Sequence, residues 1–175
     1  VDAAEERMTD KSCLNVEDIL RFADTVPLEK VEDVLLRQIE MNSAIAEEGL
    51  RGAWGAQIGR ILMEDYGSDL KQQAKAYAAA GSDARMSGCE LPVVILSGSG
   101  NQGITACMPV VTYAKQIGAT KEQLCRALIV SDLVTVLQKN GIGRLSAYCG
   151  AISAGVGAGA GICYLLGGGY SAVAH

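Results

Sequence analysis

The chain's best candidate for chemistry is Ser97-Gly98-Ser99-Gly100-Asn101-Gln102-Gly103-Ile104, a small polar loop between two apolar runs. Its flanks are Leu91-Pro92-Val93-Val94-Ile95-Leu96 and Ile104-Thr105-Ala106-Cys107-Met108-Pro109-Val110-Val111. Such a loop buries little surface of its own; it offers pliable backbone, two hydroxyls and two amides held by apolar neighbours, which is how polar-ligand sites are often built. If a helix starts at Asn101, the backbone N–H groups from Ser99 to Gly103 suit a carboxylate. The Lys-Ser/Thr ending of a phosphate loop is absent. A tight structural turn between helices is an equally good reading of these residues taken alone.

The other reactive side chains are thiols. Six cysteines (Cys13, Cys89, Cys107, Cys125, Cys149, Cys163) form no CxxC or CxxxC pair, so buried free thiols are the default expectation. On one helix, Cys149 and Cys163 would stand ~21 Å apart and could not share an ion. The eighteen-residue spacing of Cys89, Cys107 and Cys125 is read as chance. The sole histidine is His175, which gives little support to a histidine-based triad or acid/base pair.

The elements that must position these groups read as helices. Asn15 can cap a helix with Val16, Ile19, Leu20 and Ala23 on one face and Glu17 and Asp18 in its first turn. After Pro27 the spacing of Val31, Val34, Leu35, Gln38, Ile39, Asn42 and Ile45 predicts a long helix, broken at Gly49 and Gly52. Trp54, Ile58, Ile61 and Leu62 mark a third helix ending near Gly67, and Leu70–Met86 a fourth, interrupted at Gly81. With Pro92 and no other strand candidate, Leu91–Leu96 is expected to be helix or extended connector. Asn101 should cap a helix to about Gln116 that Pro109 either kinks or restarts. Thr120 with Gln123 forms a capping box for a helix through Lys139, ended by Gly141-Ile142-Gly143. A last segment runs from Arg144 to Leu166, where Gly155/Gly159 and Gly157/Gly161 make two small-residue ridges on different faces. That pattern suits a central helix hemmed in on several sides. The expectation is an all-α, compact multi-helix domain around a Gly/Ala-rich central helix, without substantial sheet.

The net charge of −5 leaves no electrostatic footprint for nucleic acid. Two stretches lack charge, between Glu90 and Lys115 and between Arg144 and His175, and either is long enough to span a bilayer. The first is interrupted by Pro92, Pro109 and the polar loop, the second is diluted by glycine, and the first ninety residues are ordinary amphipathic material. A protein outside the membrane is therefore expected, with a membrane-transport fragment as the lesser alternative. The chain begins in a charged stretch without Met and stops just after a glycine run with no closing amphipathic element. It is expected to be a piece of a longer protein.

Two blocks carry a resemblance. Ser82-Asp83-Ala84-Arg85-Met86-Ser87-Gly88, Leu91-Pro92-Val93-Val94 and Ser97 to Ile104 form the first. Ile142-Gly143-Arg144-Leu145-Ser146-Ala147-Tyr148-Cys149-Gly150, Gly155 to Gly161 and Tyr164-Leu165-Leu166-Gly167-Gly168 form the second. In this order, over most of residues 29–170, the chain resembles the alpha-chain family of iron–sulfur L-serine dehydratases, nearest its L-cysteine desulfidase-like branch. The resemblance implies a cytoplasmic helical lyase that β-eliminates L-serine or L-cysteine on a four-iron–four-sulfur cluster held by three cysteines, with a homodimer as one oligomeric option and no nucleic-acid partner. It makes Cys149 a cluster ligand and Ser97, Ser99, Asn101, Gln102 and Gly103 the cradle for the amino-acid substrate. The family's other cluster cysteines belong to a motif downstream of the glycine run. The general base is expected outside this chain, and Cys13 does not sit in the motif that supplies a basic cysteine in the desulfidase branch. The 175-residue piece is therefore expected to hold no cluster and to be inactive by itself. A non-catalytic amino-acid-binding domain is the alternative. Lys139 and Arg144 either meet a substrate carboxylate or serve as helix-end charges, and Asp83 and Arg85 are expected to pair.

Overall fold

A computed structural model describes residues 11, 13–142 and 149–175. Among these the chain forms eight α-helices and no strand: α1 (Val16–Thr25), α2 (Glu32–Arg51), α3 (Ile58–Tyr66), α4 (Leu70–Met86), α5 (Gly100–Ile117), α6 (Lys121–Ile142), α7 (Gly150–Leu165) and α8 (Tyr170–Ala174), with one 3₁₀ turn at Leu28–Lys30. The all-α expectation holds.

Local chemistry sets most boundaries. The Asn15 side chain accepts the Asp18 N–H at 2.9 Å and starts α1. Thr120 and Gln123 exchange reciprocal bonds, Thr120 N to Gln123 Oε1 at 2.8 Å and Gln123 N to Thr120 Oγ1 at 3.2 Å, so the capping box forms as read. Gly118, at φ 66°, ends α5 in the left-handed conformation glycine adopts without strain.

Two glycines expected to break helices do not. Gly49 lies inside α2, where a Cβ would overlap the Ala80 carbonyl, and Gly81 lies inside an unbroken α4, where a Cβ would sit 3.0 Å from Ile104 Cγ2. Each costs its helix about 1 kcal/mol relative to alanine, but lets α2, α4 and α5 approach closely. Gly52 does end α2. Val34, placed on the apolar face by its spacing, is 67% exposed. α5 runs through Pro109 without restarting, and α6 continues past Gly141 to Ile142. Beyond the glycine run the short α8 follows, where no closing element was expected.

The core is made by Ile19, Leu35, Ile45, Ile104, Met108, Val110, Val111, Leu128 and Val130, packed with buried alanines and the thiols Cys107 and Cys125. Burying each large aliphatic contributes on the order of 1.5–3 kcal/mol. α5 buries Gly100, Gln102–Ile104, Ala106–Met108, Val110–Thr112 and Ala114. α7 packs through its Gly157/Gly161 ridge: a Cβ at 157 would overlap Thr135 Oγ1 and the Ser131 carbonyl, and one at 161 would stand 2.8 Å from the Ala127 carbonyl and 3.1 Å from Val110 Cγ2. The Gly155/Gly159 ridge meets nothing among the described residues, so the helix is hemmed in along one of its two ridges. Descending positions on α6 meet ascending ones on α7, so the two run antiparallel. The pairs Gln102–Gly150 and Val110–Gly161 ascend together, so α5 and α7 run parallel and begin at the same end. α1 is tied on by Arg126, whose Nη1 donates to the Ala23 carbonyl, and by Tyr164, whose hydroxyl donates to Asp24 Oδ1 at 2.6 Å.

Candidate active site

The connector from Leu91 to Ser99 is extended and held from below by a buried amide. Asn42 of α2, with no exposed surface, accepts the Val94 N–H at 2.9 Å and donates to the Val94 carbonyl at 3.3 Å. One side chain thus satisfies both backbone groups of a residue that has no strand partner. Beyond it the chain reverses: Leu96 and Ser99 exchange both backbone hydrogen bonds at 3.1 Å. The two residues between them, Ser97 (φ 48°) and Gly98 (φ 84°), lie in the left-handed region that a two-residue reversal of this hand requires. Ser97 carries that conformation with a side chain, an uncommon placement for any residue but glycine.

α5 starts where this reversal ends. Ser99, not Asn101, is the N-cap, and its hydroxyl makes no cap bond. Asn101 is the second residue of α5, and its Oδ1 accepts from Arg85 Nη1 at 3.1 Å. Gly103 lies so close to the connector that a Cβ would overlap the Val94 carbonyl. Gln102 is 6% exposed and points toward α7: a Cβ on Gly150 would overlap its Nε2. Its Oε1 is buried without a hydrogen-bond partner among the described residues. An unpaired buried oxygen costs about 1–3 kcal/mol.

Cys149 is exposed and forms the N-cap of α7, immediately before Gly150. The structure therefore brings the polar loop and the Cys149-Gly150 step to one place, where two helix N-termini converge with Gln102 between them. Aligned N–H groups at such ends favour negative charge. Arg144 and Tyr148 lie outside the described residues. Lys139 falls in the last turn of α6, where a cation complements the helix dipole. Asp83 and Arg85 do not pair: Asp83 Oδ2 accepts the Ile58 N–H at 3.1 Å and starts α3. Two residues apart on a helix, these side chains point to different faces.

The remaining thiols divide as packing dictates. Cys107 and Cys125 are fully buried, and burial pushes both thiols up, Cys107 well above its ordinary value with help from the nearby Asp132 charge. Asp132 was not singled out by the sequence. Burial pushes its carboxyl up to about 7, although Gln38 Nε2 donates to its Oδ1 at 3.0 Å. Nothing in the one-dimensional pattern marks it, because its neighbours come from α2 and α5. Among the described residues no three His, Cys, Asp or Glu side chains gather to hold a metal, and no helix is long and apolar enough to cross a membrane. Two open grooves of about 510 and 540 Å³ flank α1, and neither is lined by the polar loop.

A helical domain whose paired helix starts carry a glycine-rich amide loop and a cysteine is the architecture these residues define. The chain belongs to the serine dehydratase alpha-chain family, whose model matches residues 3–175. It is similar to the UPF0597 protein DSY1109 of Desulfitobacterium hafniense (strain Y51), 58% identical over 175 residues, all of this chain and 41% of that protein. UPF0597 proteins of Lachnoclostridium phytofermentans and Treponema denticola are 54% and 47% identical, over 96% and 99% of this chain and 40% and 41% of theirs. The chain thus spans about two fifths of the length of the curated relatives it matches. No solved structure matches it.

Proposed function

We propose that the protein containing this chain is an iron–sulfur-dependent lyase that β-eliminates a small L-amino acid. L-serine would give pyruvate and ammonia; L-cysteine with one water would give pyruvate, ammonia and hydrogen sulfide. Family membership supports the reaction class, and one observation carries the site: the buried Gln102, whose amide nitrogen lies against Gly150 beside Cys149 and whose Oε1 has no partner among the described residues. In this reading the loop hydroxyls of Ser97 and Ser99, the amides of Asn101 and Gln102, and the bare backbone at Gly103 cradle the amino acid. Gln102 Oε1 accepts from its ammonium, and the α5 N-terminus faces its carboxylate.

Cys149 fits one ligand of a four-iron–four-sulfur cluster, being exposed at the mouth of the site. The described residues supply no second and third ligand, and these would come from the longer protein. A bound cluster would supply a Lewis acid for the departing hydroxyl or thiol. This chain's own residues would fix the substrate's orientation, and the base that takes the α-proton would lie outside it.

The test is an anaerobic assay of the full-length protein, reconstituted with iron and sulfide, for pyruvate and sulfide with L-serine and L-cysteine in parallel. Product from one identifies the branch. Product from neither, with amino-acid binding retained, would leave a non-catalytic amino-acid-binding domain in its place.

A further inference from the structure

Arg85 lies in the last turn of α4, where its charge complements that helix's dipole, but this does not account for where its side chain reaches. Its Nη1 lies on Asn101 Oδ1 at 3.1 Å and on Met86 Sδ at 3.6 Å, both uncharged. None of the ion pairs among the described residues includes it. The nearest carboxylate in sequence, Asp83, is turned away to start α3. The guanidinium also lies over the first residue of α5: a Cβ on Gly100 would overlap Arg85 Nε. A cation there faces the positive end of a helix dipole, which is the unfavourable arrangement. A guanidinium has five donors in a planar fork, and Asn101 and the Met86 sulfur engage only those on Nη1.

Positive charge gathered on positive charge, with donors to spare, is the arrangement that receives an anion. In the same turn of α5, and independently, Gln102 keeps its buried oxygen unpartnered. We propose that Arg85 is the carboxylate receptor of this site, taking the carboxylate of an α-amino acid together with the first N–H groups of α5, with Asn101 as the residue that aims it. The assignment rests on the reading that the site takes an amino acid, and it adds the selection of a free carboxylate. Gly100 is bare because the guanidinium must pass over it.

The experiment measures binding of L-serine and of L-serinamide, which lacks the carboxylate, to the full-length protein by calorimetry. The wild type is expected to bind L-serine more tightly than the amide. Arg85→Gln should weaken L-serine about 10- to 100-fold and leave the amide unchanged, removing the preference, while Arg85→Lys restores part of it. Unchanged amide binding also reports that the variant site is folded. If Arg85→Gln keeps the preference, or weakens both ligands equally, Arg85 is not the receptor and the amino-acid reading stands. If the wild type binds neither ligand at millimolar concentration, both fall.

Discussion

Asn42 does for Val94 what a neighbouring strand would do, accepting from its N–H and donating to its carbonyl from a fully buried position. The connector that leads into the polar loop is thus anchored by one amide of α2, fifty-two positions away in sequence. Asn42→Ala leaves both groups of Val94 without a partner and is expected to destabilise the chain by about 2–3 kcal/mol. Urea denaturation measures the loss. Hydrogen exchange should show the Val94 amide opening faster than those of α6; an unchanged Val94 rate would refute the anchoring role.

The close approach of Gly150 to Gln102 makes a side chain at position 150 a probe of the site rather than of the fold. Gly150→Ala is expected to displace the Gln102 amide and lower kcat/KM of the full-length protein about 10- to 100-fold, the scale of an ångström's misplacement. Circular dichroism of the variant should remain that of the wild type. Full activity would show that Gln102 need not lie where it does.

The two glycine ridges of α7 should answer oppositely to alanine. At Gly155 and Gly159, where nothing among the described residues lies within 4 Å, alanine is expected to stabilise the 175-residue chain by up to about 1 kcal/mol through helix propensity. At Gly157 and Gly161 it meets α6 and is expected to cost about 1–3 kcal/mol. Denaturation midpoints of the four single variants decide it, and equal responses would contradict the packing.

Asp132 sets a pH dependence of known sign. Its carboxyl, ordinarily near 3.8, is raised to about 7 by burial, so between those values the folded state holds a proton that the unfolded chain has lost. Stability therefore falls as pH rises from about 4 to about 7 and levels off above. Asp132→Asn keeps an acceptor for Gln38 and cannot ionise. It should be more stable than the wild type at pH 8 by about 2–4 kcal/mol, with a flatter profile from pH 4 to 7. A wild-type profile that rises over that range would refute the assignment.

What the sequence made legible was local. Asn15, Thr120 and Gln123 act within a few residues of themselves, and their caps form as their types and spacing require. Gly49 and Gly81 misled because glycine ends a helix in isolation but admits a neighbour in a bundle, and the neighbours Ala80 and Ile104 are thirty-one and twenty-three positions away. The cap of α5 falls on Ser99 rather than Asn101 because the Leu96–Ser99 reversal delivers the chain there first and Arg85 occupies the Asn101 side chain. The grouping of the polar loop with Cys149 could be expected from resemblance alone; what places Gly150 on Gln102 is the tertiary packing of α5 against α7. The separation of Asp83 from Arg85 could have been read directly, since helix positions two apart never face each other.

Because α6 runs antiparallel to α7, the contacts of Gly157 and Gly161 with Ser131, Thr135 and Ala127 work as a gauge block. They set how far α7 can slide along α6, and hence how near its first residue comes to Gln102. One residue of slippage there would move the start of α7 by about 1.5 Å along its axis and turn it by about 100°, carrying Cys149 off the loop. The accuracy of the proposed site at one end of the bundle is machined at its middle, in residues that lie outside it.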